Sequence, residues 1–239
     1  MSGYRETQAV VLRAQDLREA DRRLSLLTPE GRLVARAPGA RKAKSRLAGI
    51  LQPASLVQVT LYERPGAQPV VTGASQIAAF RRLRDDLVAM AASQVLLEIC
   101  DVQSGEEEAQ LPFAMLAQAL RLLDGAEDPA QACLQGELAL LSAYGWGLDL
   151  TRCVGCGGAL RAPLRYQVEL GGFTCPGCAA MGGITASEDA LLALRAAAGG
   201  TTAQRGAAEA RALLHLTWRA HLEAPLKSAD FLESVIGGR

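Results

Sequence analysis

Four of the six cysteines in this 239-residue chain are spaced to hold a metal. Cys153-x-x-Cys156 is followed, after 18 intervening residues, by Cys175-x-x-Cys178. Each pair brings two thiolates onto one tight turn, and two such turns complete a tetrahedron around Zn²⁺. Gly155, Gly157, Gly158 and Gly177 supply the backbone freedom those turns need. Four thiolates fill the coordination sphere and leave no position for water or substrate. The expected cofactor is therefore one structural Zn²⁺ at Cys153, Cys156, Cys175 and Cys178. A redox pair, a reduced structural set and an iron–sulfur cluster are the competing readings. A redox CxxC has no need of a second pair. Cys100 and Cys133 fall on apolar helical faces and read as core.

Little else in the chain points to catalysis. There is no GxxxxGK[ST] phosphate loop and no HExxH. The two histidines, His215 and His221, are six apart on one helical stretch and point to different faces. Glu106-Glu107-Glu108 reads as a solvated linker. The expectation is a binding protein and not an enzyme.

Charge says what it binds. The chain carries 25 basic and 25 acidic side chains, a formal net charge of zero, but they are unevenly spread. Residues 1–84 hold 15 basic and 6 acidic side chains; residues 85–239 hold 10 and 19. An asymmetry of this size is a cue for nucleic-acid contact by the basic half. Its densest part is Arg41, Lys42, Lys44 and Arg46, in a loop opened by Pro38-Gly39 and holding two of only three lysines. Arg32 and Arg36 precede it, and Arg81, Arg82 and Arg84 form a second cluster. Cations along a groove neutralise phosphates and release counterions. Aromatics are only 4% of residues, so contact should be mainly electrostatic. Tyr62 is the best candidate for stacking on a base, and reads equally well as an ordinary strand tyrosine.

These residues need elements to position them. Val57, Val59 and Leu61 alternate with Gln58, Thr60 and Tyr62 in a strand period. Leu24 and Leu26 alternate likewise, Thr28-Pro29-Glu30-Gly31 makes a turn, and Leu33, Ala35 and Ala37 share a face beyond it. With strands at Gln8–Arg13 and Pro69–Gly73, five strands in residues 1–80 fit an oligonucleotide-binding (OB-fold) barrel. Strand count alone also fits an SH3-like barrel. From residue 81 the period becomes helical, through Val88, Ala92, Val95, Leu96 and Ile99, then Phe113, Leu116, Ala117, Leu120 and Leu123, then Leu134, Leu138 and Leu141. Helices resume at Ser187–Ala198, about 204–223, and Ser228–Ile236. The expected organisation is α+β and multidomain. An OB-fold spans 1–80, a helical domain spans 81–152 and 184–239, and a four-cysteine zinc finger is inserted at 153–183. No secretory signal and no membrane span are read, so a cytoplasmic protein is expected.

The order of basic barrel, helices, four-cysteine insertion and returning helices resembles the RecO recombination mediators. Gly39-Ala40-Arg41-Lys42-Ala43-Lys44-Ser45-Arg46 followed by Leu51-Gln52-Pro53 resembles their basic loop and next strand. Leu27-Thr28 with Gly31, and His221-Leu222-Glu223-Ala224-Pro225-Leu226-Lys227-Ser228 with Phe231-Leu232, add to the likeness. The Arg- and Ala-rich composition fits a GC-rich bacterium. The resemblance implies a DNA repair and recombination protein that binds single- and double-stranded DNA and anneals complementary strands. It also implies work with RecR in loading RecA onto strands coated by single-strand-binding protein, and a contact with that protein's acidic C-terminal tail. Arg121, Arg195, Arg211 and Arg219 are helical cations able to receive such a tail. A zinc-containing RNA-binding or ribosome-associated OB-fold module is the alternative.

Overall fold

The computed structural model describes residues 2–17, 20–42, 44–105, 109–222 and 225–238. Glu106–Glu108, Ala43 of the basic loop, and Glu223 and Ala224 of the C-terminal motif lie outside them. The chain forms two compact units, residues 1–125 and 126–239. Among the described residues no helix is long and apolar enough to cross a membrane.

Five strands open the first unit: β1 (Gly3–Leu17), β2 (Asp21–Thr28), β3 (Gly31–Ala37), β4 (Leu56–Glu63) and β5 (Val70–Ala78). They close into a barrel in the order β1-β2-β3-β5-β4, the arrangement of an OB-fold. The period-two pattern explains its core. Ala9 and Val11, Leu24 and Leu26, Ala35 and Ala37, Val57, Val59 and Leu61, and Val71 all point inward and are buried. β1 is far longer than Gln8–Arg13 because it serves two partners. Gly3–Val10 pairs with β4 and Val10–Leu17 with β2, and the register shifts between Val11 and Arg13. Such a bulge bends one strand around a barrel corner. The parallel seam between β3 and β5 is short, with one register pair, Arg36 with Val70. After the basic loop, α1 (Leu47–Ile50) delivers Leu51 into the barrel core.

α2 (Arg82–Asp85), α3 (Leu87–Gln103) and α4 (Gln110–Gly125) complete the unit. Asp86 caps α3, its carboxylate accepting from the amides of Val88 and Ala89. The stripe Val88, Ala92, Val95, Leu96 and Ile99 is buried. Near the other end of α3 one carboxylate binds the barrel. Asp101 accepts from Ser25 Oγ at 2.5 Å and pairs with Arg13 at 2.6 Å and Arg32 at 3.7 Å.

In the second unit α5 (Pro129–Ala143) starts on Asp128, whose side chain accepts from the amides of Ala130 and Gln131. A small sheet follows, β6 (Leu164–Gln167), β7 (Gly172–Thr174) and β8 (Ile184–Ala186), in the order β7-β6-β8. Then come α6 (Glu188–Ala198), α7 (Ala207–His221) and α8 (Lys227–Gly237). Ser187 caps α6 and is itself held by Glu209 of α7. α5 packs against α6 and α7, so the cysteine segment interrupts a helical body. Tyr166 of β6 and Thr217 of α7 share a buried hydrogen bond of 2.6 Å that ties sheet to helices.

The core of this unit holds an acid. Glu137 on α5 is fully buried; the Cys133 thiol lies 3.7 Å from Oε1 and His215 Nε2 lies 3.9 Å away. Burial pushes its carboxyl up to about 8, against smaller lowering effects of Cys133 and Arg211. The same burial holds His215 below the usual imidazole range. Both groups are therefore neutral at neutral pH.

Two outcomes follow from these contacts. Asp101→Ala strands Ser25, Arg13 and Arg32 and should lower stability by about 2–4 kcal/mol in urea unfolding; an unchanged midpoint would show that the clamp carries nothing. For Glu137 the folded pKa lies above the unfolded one. The native protein thus loses stability as pH rises from the ordinary carboxyl range to about 8. Glu137→Gln, neutral throughout, should gain on wild type by about 1.4 kcal/mol per pH unit across that window. Parallel pH profiles of the two proteins would refute the buried neutral acid.

Candidate nucleic-acid interface and metal centre

The metal centre is built from turns. Val154 and Gly172 approach so closely that a Cβ on Gly172 would lie 2.5 Å from Val154 Cγ1. The first CxxC turn is closed by Gly157 donating to the Cys153 carbonyl at 2.8 Å, with Gly157 at φ +73. The second is closed by the Cys178 amide on the Cys175 carbonyl at 2.9 Å. The four Sγ atoms lie within 4.8 Å of one another, and Cys156 and Cys175 are 3.8 Å apart. A tetrahedron with Zn–S bonds of about 2.3 Å has edges of about 3.8 Å. A Cβ on Gly155 would sit 2.6 Å from Met181 Sδ and 3.0 Å from Cys178 Sγ, so a side chain there would crowd the second turn.

The thiol chemistry is that of a ligand set. Burial alone would raise Cys153, but the amides of Cys175, Cys156 and Gly155 outweigh it and bring the thiol down to about 6. Cys178 is pushed up to about 12, first by its hydrogen bonds to Cys153 and Cys156. Four thiols this close cannot all ionise unless a cation holds them. The donors fit Zn²⁺, and four thiolates would close its coordination sphere in a structural role.

Within the first unit the cations sort into two groups. Arg32 is turned inward: besides Asp101 it donates to the Ser104 carbonyl at 2.9 Å. Arg36 pairs with Asp21 at 3.8 Å and Arg41 with Asp16 at 3.2 Å. Lys42, Lys44 and Arg46 are exposed and have no ion pair among the described residues. Their loop is fixed by the Arg41 amide on the Ala20 carbonyl at 2.9 Å and by Asp21 accepting from the Gly39 amide at 2.8 Å. It thus sits against the β1–β2 end of the barrel. Arg82 and Arg84 lie on α2 and Arg81 immediately precedes it; Arg84 donates to Ser55 Oγ at 2.8 Å, and the backbone amide of Arg82 donates to Asp124 at 2.9 Å.

A groove of about 780 Å³ runs along β2 and β3, lined by Arg5, Arg23 and Arg32 together with Leu33, Val34 and Ala67–Pro69. A smaller cleft of about 230 Å³ joins Arg13, Arg23, Arg32 and Asp101. Arg5 and Arg23 carry no local signal, because acids stand close to each in sequence (Glu6 and Asp21); the β2–β3 hairpin brings Arg23 and closure of the barrel brings Arg5 to the groove that Arg32 lines. Arg5 is held by Glu63 at 2.8 Å and Glu30 at 3.3 Å. Burial would raise Glu30, but the hydroxyls of Thr28 and Thr7 and the charge of Arg5 hold it below the usual carboxyl range. Tyr62 pairs in register with Tyr4, ring centres 5.0 Å apart. On the helices, Arg195 is engaged with the Leu150 carbonyl and Arg211 is buried on Glu233, while Arg121 and Arg219 are exposed.

The first unit is thus an OB-fold barrel with a basic loop, and the second a helical body that holds four clustered thiols. The chain matches the family models described as Recombination protein O N terminal, over residues 1–78, and Recombination protein O C terminal, over residues 84–230. It is 34% identical over 241 residues to the DNA repair protein RecO of Myxococcus xanthus, covering 96% of this chain and 97% of that one. It is 33% identical over 250 residues to the protein of the same name from Cutibacterium acnes, covering 98% and 100%. The chain belongs to the RecO family.

Cys175→Ala should abolish stoichiometric zinc in the purified protein, measured by atomic absorption, and lower thermal stability. Equal zinc content and an unchanged melting temperature would rule out the four-thiolate site.

Proposed function

We infer that this protein acts in DNA repair and recombination by binding DNA strands and bringing complementary ones together. The exposed loop cations Lys42, Lys44 and Arg46, without carboxylate partners among the described residues, carry the reading. Arg32, Arg36, Arg41, Arg81, Arg82, Arg84 and Tyr62 are proposed to extend the contact. Acidic side chains engage several of these arginines, so their share in phosphate contact is expected to be smaller.

Annealing needs no catalytic group. A basic surface lowers the repulsion between two phosphate backbones and raises local strand concentration. Weak reading of base edges then helps, because the strands must pair with each other. Family membership supports the further proposal that the protein works with RecR to load RecA onto strands coated by single-strand-binding protein. Arg121 and Arg219 are the helical cations open to that protein's acidic tail. The metal centre is assigned to folding, with no step in the DNA transaction. An RNA-binding role is the second reading, and strand competition separates the two.

For about five phosphate contacts on a single strand, log K should fall with log salt at a slope of about −3.5. Replacing Arg41, Lys42, Lys44 and Arg46 together by Ala should flatten that slope by about 2, chiefly the share of Lys42, Lys44 and Arg46, and slow annealing of complementary oligonucleotides. Unchanged affinity and annealing in this variant would overturn the reading, as would a strong preference for RNA over DNA in competition.

A further inference from the structure

The outer face of β1 and β4 carries an aromatic patch that the basic loop does not account for. Tyr4 and Tyr62 stand opposite each other in the β1–β4 register, ring centres 5.0 Å apart and planes inclined at 47°. The Arg64 guanidinium carbon lies 5.7 Å from the centre of the Tyr62 ring. Tyr4 is 72% exposed, and no large apolar side chain among the described residues is more so. An aromatic ring left in water with a guanidinium close by suits one kind of ligand, a flat π system attached to an anion. A nucleotide with an unpaired base is that ligand.

The surroundings favour a nucleotide over a protein. The register places Glu6 opposite Thr60 and Gln8 opposite Gln58 on the same face, with Thr72 of β5 beside them, donating to the Thr60 carbonyl at 3.1 Å. These amides and hydroxyls can meet base edges. They do not form the contiguous apolar centre that a protein interface needs. Glu6 is exposed and repels phosphate, which leaves the Arg64 side for the sugar–phosphate chain.

We propose that Tyr4, Tyr62 and Arg64 form a base-stacking site for single-stranded nucleic acid, distinct from the basic loop. The loop takes phosphates from either strand form. The tyrosine patch accepts only bases not already stacked in a duplex, and so supplies preference for single strands. The proposal rests on the nucleic-acid reading above.

The test uses the full chain with a thymidine homopolymer, a duplex of the same length, and an abasic homopolymer. Tyr4→Leu should bind the thymidine strand about tenfold more weakly than wild type. It should bind the duplex as wild type does, with an unchanged salt slope, and Tyr4→Trp should retain affinity. On the abasic strand wild type and Tyr4→Leu should be equal. Equal affinity of the two proteins for the thymidine strand, or an equal loss on the duplex, overturns the stacking site. If the loop variant loses affinity while Tyr4→Leu does not, only the stacking site falls. If wild type binds neither strand form, both readings fall. Photocrosslinking of wild type to an iododeoxyuridine strand needs no variant to fold. Adducts on the peptides holding Tyr4 or Tyr62 support the site, and adducts confined to other peptides refute it.

Discussion

The Asp101 carboxylate meets side chains from three strands at once, Arg13 of β1, Ser25 of β2 and Arg32 of β3. It is largely buried, so its charge has to be matched, and two arginines do so. This one contact fixes α3 to the barrel and also decides which cations stay available. The same sorting recurs at lower stakes. Glu63 and Glu30 hold Arg5, Asp16 holds Arg22 and Arg41, and Asp21 holds Arg36. Most carboxylates of the barrel half are thus committed to arginines in or beside strands. The excess positive charge is left on the loop after β3, where no acid reaches Lys42, Lys44 or Arg46 among the described residues. The formal net charge of zero conceals an ordered partition of charge.

The second unit solves a different problem. Its sheet strands are three or four residues long, too short to hold a fold by pairing alone. Cross-linking two turns through four thiolates would supply what that sheet lacks. Next to this, the helices tolerate Glu137 in their core only as a neutral acid. A charge there would need a partner, and Arg211, the cation whose charge acts on it, is taken by Glu233 at 2.7 Å.

What could be read from the sequence followed from local pattern. Alternation marked β2, β3 and β4, and the helical period marked the buried faces of α3, α4 and α5 residue by residue. The cysteine spacing named a site whose atoms do converge. The ends of β1 and β5 were not legible. Arg5, Glu6 and Asp16 interrupt the apolar alternation of β1, and Ala74–Ala78 alternates too weakly to mark a strand. Tyr4 was overlooked for that reason: it lies before the expected start of β1, and its partner is 58 residues away in sequence. Asp101 and Ser25 are 76 residues apart. No local pattern encodes such pairs; they exist only once the barrel closes.

The seam between β3 and β5 is the shortest pairing in the barrel. Elsewhere adjacent strands share seven or more register pairs, whereas here a single pair is backed by the Arg36 amide on the Pro69 carbonyl at 2.9 Å. In amide exchange such a seam opens at lower cost than the antiparallel ladders. β3 leads straight into the basic loop, so parting the sheet along this line would displace Lys42, Lys44 and Arg46 while the core stays folded.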